Sequence, residues 1–229
     1  MSRAYITRGN IDSNRSYDPS YEKYFVNSPD DLKVAVTVIN VKKVFKNARK
    51  NIVALDKVSI RFYKGEITVL IGHNGAGKTT LLSIIAGMLK QSSGKVYVEG
   101  FDTVLQQAKL RRRIGLCPQH NLLINDLTVQ EHLMFFSMIR GNNLKKAKKS
   151  AQKLMNQLNL SKEASLTTSK LPQATLRRLQ IGCALCGNPS VLLLDDPTSG
   201  LDVKHRREIW DMLLVSTMFL IFSMENLTK

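Results

Sequence analysis

The stretch IGHNGAGKTT, residues 71–80, decides the fold class of this chain of 229 residues. It fits the pattern GxxxxGK[ST] from Gly72 to Thr79, and the apolar run ITVLI directly before it is typical of a buried strand. Residues 78–89 have the pattern of a helix packed on that strand. A glycine turn between a buried strand and a helix points its backbone N–H groups at one place, so the stretch predicts a phosphate-binding site.

The residue types of this loop each have a physical role in the predicted site. Lys78 would bring a mobile positive charge to the β- and γ-phosphates, and Thr79 would offer its hydroxyl to Mg²⁺. The positive end of the helix adds unpaired N–H groups. The predicted nucleotide-binding residues are Gly72, His73, Asn74, Gly75, Ala76, Gly77, Lys78, Thr79 and Thr80.

A second apolar run, SVLLLDD, ends in two adjacent carboxylates, Asp195 and Asp196. Parallel α/β sheets bind ligands at the carboxyl ends of their strands, which is where these acids would lie. Asp195 is therefore predicted to bind Mg²⁺, directly or through water, beside the phosphate loop. A capping role for one of the two acids stays open as an alternative, whereas a capping role for both is disfavoured.

Strand and helix patterns alternate along the chain and predict βαβ units with a mainly parallel sheet. Further strands are predicted in VAVTVINV, VSIRFYKGE, GKVYVEG, RIGLCPQ and TMFLIFS. Residues 1–33 are polar, contain two prolines and are predicted to be a lead-in or linker.

A helical subdomain is predicted from about residue 126 to residue 187. Thr128 and Glu131 have the spacing of a capping box at the start of its first helix. The next helix is predicted to bury one face, formed by Leu144, Ala147, Ala151, Leu154 and Leu158.

The composition limits the partners and the compartment. A net charge of +16 favours acidic company, which means nucleotide, nucleic acid or an anionic membrane, although each basic run alone is typical of a solvated helix face. The three cysteines argue against a disulfide scaffold, and Cys183 and Cys186 are predicted to pack in the core. The uncharged run at 212–224 is shorter than the roughly 20 residues of a membrane span. The chain is thus expected to be soluble, with any spans supplied by another polypeptide or a missing part.

These motifs, in this order, resemble the nucleotide-binding domain of ABC transporters. The string CPQHN followed by LTVQEHL is similar to subfamily A, whose members move lipids, and the likeness runs from about residue 38 to 210. The resemblance implies a P-loop NTPase fold over residues 34–229, with a RecA-like core, a mainly parallel sheet, an antiparallel β edge and a helical subdomain. It also implies that ATP and Mg²⁺ are the cofactors, and that two such domains close head to tail on two ATP molecules.

The resemblance assigns roles to further residues. Phe45 would stack on adenine, with packing on the core as the alternative. Gln119 would bind Mg²⁺, sense the attacking water and link to the membrane domain. Asp196 stands where the family has the glutamate that polarises this water, and the SGLD turn at 199–202 would touch the partner domain.

The chain departs from the family pattern in three places. LPQAT, residues 171–175, replaces the signature LSGGQ or LSGGM, so a serine hydroxyl and two glycines are lost. Asp196 is one methylene shorter than glutamate, and a base misplaced by about 1 Å can lose on the order of a hundredfold in rate. No histidine follows the last predicted strand, where the family has one, and the sequence resembles a C-terminally truncated domain.

The leading hypothesis is an ATP-binding domain of an A-type lipid transporter with weak or impaired hydrolysis. It would lie on the cytoplasmic side of a membrane, with a membrane-spanning domain and a second nucleotide-binding domain of intact signature as partners. One alternative is a non-catalytic ATP-binding partner or regulator in a heterodimer. Another is a soluble ABC protein acting on nucleic acid. The positive net charge would suit this function, but it is disfavoured because no aromatic-rich basic strand resembles an RNA-binding motif.

Overall fold

The computed structural model describes residues 33–46, 50–214 and 219–224, so the predicted linker lies almost entirely outside the described residues. The chain divides into a first compact unit within 1–111 and 219–229 and a second within 112–218. The strands are β1 Val34–Phe45, β2 Ile52–Tyr63, β3 Ile67–Ile71, β4 Ser93–Val98, β5 Phe101–Asp102, β6 Ile114–Cys117, β7 Val191–Asp195 and β8 Phe219–Met224. The helices are α1 Lys78–Ile85, α2 Gln107–Arg111, α3 Val129–Ile139, α4 Leu144–Gln157, α5 Gln173–Leu185 and α6 Val203–Leu214.

An antiparallel sheet with the strand order β2-β1-β4-β5 occupies the first unit and confirms the predicted antiparallel edge. Alternation of apolar and polar residues in β1 buries Val36 and Val38 on one side. The strand continues to Phe45, beyond the predicted segment, because β2 follows it past an irregularity at Asn40. There the backbone N–H of Asn40 donates to Ser59 Oγ at 2.9 Å, which replaces a ladder bond.

The first unit also contains a parallel pair, β3 and β8, with Ile67 opposite Leu220. Complete burial of β3 was the expectation, and it is wrong. Only Thr68 is buried, Ile67, Val69 and Leu70 are partly buried, and Ile71 is 49% exposed. This residue lies at the carboxyl end of the strand, where the chain leaves the sheet.

Helix α1 is shorter than predicted and ends at Ile85 rather than near residue 89. Gly87 takes a left-handed φ of 70°, and its N–H donates to the Ile84 carbonyl at 3.0 Å. The N–H of Met88 donates to the Ser83 carbonyl at 3.0 Å. These two bonds form a Schellman motif, which satisfies the last carbonyls and stops the helix.

The second unit is built on the parallel pair β6 and β7, in which Ile114 lies opposite Val191 and Cys117 opposite Leu194. Every residue of β7 is buried, as the apolar run Val191–Leu194 predicts for its first four residues, and the run is followed by the buried carboxylate of Asp195. Helix α5 packs very closely on β6, since a Cβ added at Gly115 would lie 2.2 Å from the Ala184 carbonyl oxygen. Only glycine permits this approach.

Helices α3, α4 and α5 enclose an apolar core in the second unit. The capping box of Thr128 and Glu131 is confirmed, and Cys183 and Cys186 are buried as predicted. Leu144 was predicted to be buried and is 62% exposed, because it is the first residue of α4, at the end of the face on which Ala147, Ala151 and Leu154 are buried. Within the described residues, no helix is both long and apolar enough to cross a membrane.

His132 is a buried histidine in the first turn of α3. Its Nε2 accepts the backbone N–H of Ile124 at 2.9 Å, and its Nδ1 lies 2.9 Å from the Thr128 carbonyl oxygen. This arrangement needs a neutral ring with its proton on Nδ1. Burial lowers the pKa of His132 below its ordinary value of 6.5, against the raising effects of the Thr128 carbonyl and the Glu131 carboxylate.

The free energy of unfolding is expected to fall as the pH drops below about 6.5, because the unfolded chain protonates this imidazole more readily than the folded chain does. The loss starts at the ordinary pKa and continues through the lower pKa of the folded state. His132→Gln should weaken the pH dependence, whereas His120→Gln, at an exposed ring, should preserve it. Urea unfolding between about pH 5 and pH 7.5 measures this. Identical pH profiles for the parent and His132→Gln would contradict the assignment.

Candidate nucleotide site

The phosphate-loop sequence forms a compact turn between β3 and α1 in the first unit. The Ala76 N–H donates to the His73 carbonyl at 3.1 Å, and the Leu81 N–H donates to the Gly77 carbonyl at 2.9 Å. Gly77 directly precedes α1, and because it has no side chain it cannot cap the helix. The N–H groups of the first helical turn therefore remain directed out of the helix, together with the positive end of its dipole.

Lys78 folds back over this loop. Its Nζ donates to the Gly72 carbonyl at 2.6 Å and to the His73 carbonyl at 3.0 Å. The cation is thereby held at the loop by two oxygens that carry no full charge. A phosphate oxygen would be a stronger partner, because it adds the attraction of a negative charge to the hydrogen bond with the ammonium group.

The glycines of the loop fit a phosphate cradle. Gly75 and Gly77 have φ angles of 81° and 89°, a region that residues with a side chain rarely enter. A Cβ added at Gly77 would lie 2.5 Å from the Ala54 carbonyl oxygen, whereas one added at Gly75 would meet no protein atom within 4 Å. The loop thus needs glycine for two reasons, close backbone contact at Gly77 and backbone conformation at both positions.

Phe45 lies at the end of β1, opposite Ile52 of β2. The loop approaches β2 at Ala54, two residues further along, so one hairpin carries both the aromatic residue and the contact to the loop. The Phe45 ring is 41% exposed, and Lys43 Nζ lies 5.0 Å from its centroid. This exposure disfavours core packing as the reason for an aromatic residue at this position.

The second unit brings together the other three predicted site residues. Gln119 follows β6, and Asp195 and Asp196 lie at the end of β7, which pairs with β6 in parallel. Both aspartates are buried, while Gln119 is exposed. Asp196 has a φ of 46°, a left-handed conformation that aspartate tolerates better than most residues. The expectation that Asp195 lies beside the phosphate loop stays a prediction.

Sequence reasoning missed Arg177, a buried arginine of α5 that contacts this edge. Its guanidinium donates to the Gln119 carbonyl at 3.1 Å and to the Asp195 carbonyl at 3.2 Å. The signal was available, since the apolar residues Ala174, Ile181 and Ala184 share the helix face of Arg177. A charged side chain on an apolar helix face is expected to have buried hydrogen-bond acceptors.

The pKa of the Cys117 thiol, at the end of β6, is affected by the charges of Arg177 and Asp195. Burial is the main effect that raises its pKa to about 11, the Arg177 guanidinium lowers it, and the Asp195 carboxylate raises it. The thiol therefore stays protonated at neutral pH and is not a nucleophile.

The altered signature, residues 171–175, forms the start of α5. Pro172 precedes the helix without a side-chain cap, and Pro172 and Gln173 are exposed while Ala174 and Thr175 are buried. The exposed end thus presents a pyrrolidine ring and an amide side chain. The serine hydroxyl and the glycine backbone of the family motif are not replaced by equivalent groups.

Solved structures with this arrangement are ATP-binding cassettes. A dimeric, post-hydrolysis structure of the ATP-binding cassette MJ0796 bound to ADP and Pi matches with a TM-score of 0.76 and 27% identity, covering 83% of this chain and 88% of that one. The ADP conformation of MJ1267, an ATP-binding cassette of an ABC transporter, matches with a TM-score of 0.73 and 26% identity, covering 85% and 82%. The fold is that of a P-loop ABC cassette.

The sequence comparisons identify the family. The family model described as ABC transporter matches residues 55–199, so the chain belongs to the ABC transporter family. It is 39% identical over 191 residues to the phospholipid-transporting ATPase ABCA3 of Mus musculus and 37% identical over 202 residues to the retinal-specific phospholipid-transporting ATPase ABCA4 of Bos taurus. These alignments cover 83% and 86% of this chain but only 11% and 9% of the two relatives.

The two loop glycines are expected to respond differently to alanine. Gly75→Ala should cost about 1–2 kcal/mol of unfolding free energy, the usual penalty of the left-handed conformation. Gly77→Ala should cost clearly more, because its methyl group would also overlap the Ala54 carbonyl. Urea unfolding of both variants beside the parent measures the difference. Equal costs would show that the contact between the loop and β2 is not tight.

Proposed function

We propose that this chain is the ATP-binding domain of an A-type, lipid-transporting ABC protein and that it binds ATP with Mg²⁺. The observation that supports this most directly is the loop after β3, in which Lys78 lies over its own backbone and two glycines adopt left-handed conformations. Cassettes of this family bind ATP, typically with Mg²⁺, at this loop. The homology to phospholipid-transporting ATPases supports the lipid as cargo of the complete transporter.

The residues present fit the two ligands. Backbone N–H groups of the loop and Lys78 would hold the phosphates, and Thr79 and Thr80 lie in the first turn of α1, whose positive end would face them. Phe45 would cover one face of adenine. Asp195, Gln119 and Thr79 would hold Mg²⁺, which would neutralise phosphate charge.

Magnesium in such a site needs few protein ligands. The described ranges contain no cluster of three or more His, Cys, Asp or Glu residues able to hold a metal ion by themselves. Mg²⁺ bound to nucleotides takes most of its oxygens from phosphates and water, with one or two carboxylates from the protein. The proposed ligand set therefore matches a metal that arrives with its nucleotide.

Hydrolysis is proposed to be slow. Gln119 would orient the attacking water and Asp196 would accept its proton, but Asp196 is shorter than the family's glutamate. Its backbone is also fixed by Arg177, which donates to the Asp196 carbonyl. With the backbone held, only rotation of its own short side chain would bring the carboxylate toward the water.

The proposed partners follow from two surfaces of the second unit. The start of α5, with Pro172 and Gln173 exposed, is a poor lid for ATP bound by another copy, so we favour pairing with a domain of intact signature. A role as non-catalytic member of such a pair is the second candidate. Exposed apolar side chains of α3, among them Phe135 and Ile139, would contact a membrane-spanning domain from the cytoplasmic side.

Lys78→Ala is expected to weaken ATP binding by about 10- to 100-fold, because a charge-assisted hydrogen bond to a phosphate is lost. Lys95→Ala, at an exposed lysine of β4, is the matched control for the loss of one positive charge. Calorimetric titration of the three proteins with ATP and Mg²⁺ gives the affinities. The site assignment fails if Lys78→Ala binds like the parent, or if Lys95→Ala loses as much.

The purified chain is expected to turn over ATP more slowly than about 1 per second, the lower end of common enzyme rates. Asp196 is the physical reason, since water, metal and γ-phosphate must be aligned by a base of suitable reach. Phosphate release at saturating ATP measures the rate, with Lys78→Ala as the blank. A faster rate that Lys78→Ala abolishes would contradict impaired hydrolysis while supporting the binding site.

A further inference from the structure

Arg177 places a guanidinium in the interior of the second unit, with only 4% of the residue exposed. A buried cation is costly unless every donor finds an acceptor. The acceptors are the carbonyl oxygens of Pro118, Gln119, Asp195, Asp196 and Pro197 and the Oε1 of Gln180.

The donors divide between two chain segments. Nη1 donates to the carbonyls of Pro118 and Gln119, both at 3.1 Å, which belong to the segment after β6. Nε donates to the Pro197 carbonyl at 2.8 Å, and Nη2 donates to the carbonyls of Asp195 and Asp196, at the end of β7. The planar guanidinium thus bridges the two segments that carry the proposed magnesium and water ligands.

This bridge begins where the sheet ends. The parallel ladder of β6 and β7 has its last partners at Cys117 and Leu194. Beyond them the two backbones are joined through Arg177. Gln180, one turn further along α5, adds a second link, since its Nε2 donates to the His120 carbonyl at 3.0 Å and its Oε1 accepts from Arg177 at 2.9 Å.

We propose that Arg177 is a positioning residue of the Mg²⁺-ATP site. It fixes Gln119 relative to Asp195 and Asp196, so that the ligand after one strand and the carboxylates after the next keep a single spacing. This inference rests on the proposed function, because it gives Gln119 and Asp195 their roles toward Mg²⁺.

The position of Arg177 in α5 also links the two bridged segments to the start of that helix. It lies four residues, about one helical turn, after Gln173, which begins the helix at the altered signature. A displacement of this helix end moves Arg177 with it, because a short helix is rigid. In the proposed pairing, contact with a second nucleotide-binding domain at the signature would therefore change the spacing of Gln119 and Asp195.

Two substitutions test the bridge. Arg177→Met removes all donors and keeps much of the volume, whereas Arg177→Lys keeps the charge but cannot reach both segments with one ammonium group. Arg178→Met is the matched control, since Arg178 is the next residue and bonds instead to the Asn159 carbonyl and Thr175 Oγ1. If Arg177→Met does not fold, Arg177→Lys carries the test.

The first readout is hydrogen exchange of the parent and each variant. Loss of the bridge should speed amide exchange about tenfold or more, both in the peptides around 119–120 and in those around 196–199. This is the size of effect expected from the loss of one hydrogen bond to a charged group. Exchange in α3 should stay unchanged, as should both segments in Arg178→Met. Equal acceleration in α3, or acceleration in only one of the two segments, would overturn the proposal in favour of ordinary packing.

The second readout is the ratio of ATP affinities with and without Mg²⁺. In the Arg177 variants this ratio should fall about tenfold, while the affinity without Mg²⁺ stays at the parent value because the loop of Lys78 is intact. An unchanged ratio would overturn the positioning role. A parent chain that binds no ATP would contradict the proposed function itself, and the exchange experiment would still decide whether Arg177 joins the two segments.

Discussion

A polar group that leaves water must find a partner, and in the second unit this constraint is concentrated on the Arg177 guanidinium. Apart from Gln180 Oε1, its acceptors are backbone carbonyls that lie beyond the last paired residues of β6 and β7. The arginine side chain therefore joins the two backbones at the point where hydrogen bonds between the strands have ended. Gln119 and Asp196, which has a left-handed φ, each contribute a carbonyl to this cation, so the guanidinium joins the two segments.

The first unit has the opposite requirement, since the loop after β3 must leave backbone N–H groups without partners in the protein if they are to bind phosphate. Two glycines with left-handed conformations and the absence of a side-chain cap at Gly77 leave the start of α1 open. The hairpin of β1 and β2 supports this loop from behind through the contact at Ala54, and the same hairpin carries Phe45. A single hairpin thus carries both Phe45 and the backbone that the loop contacts.

Local chemistry explains which features the sequence could predict. The turn between β3 and α1, the capping box of Thr128 and the apolar run of β7 are visible because each is encoded within a few neighbouring residues. The early end of α1 is less visible, since it depends on the conformation of Gly87. Arg177 was missed for a different reason. Its acceptors lie up to 59 residues away along the chain, and two adjacent arginines in a helix are usually taken as a solvated face.

The lysines of α4 bear on how copies of this chain interact. Lys145, Lys146, Lys148, Lys149 and Lys153 all lie on the exposed side of that helix, and the chain carries a net charge of +16. Two such molecules repel each other, and dissolved salt screens repulsion between exposed charges over about 10 Å at 0.1 M. Rising ionic strength therefore eases self-association and weakens adhesion to anionic surfaces. The two kinds of contact have salt dependences of opposite sign.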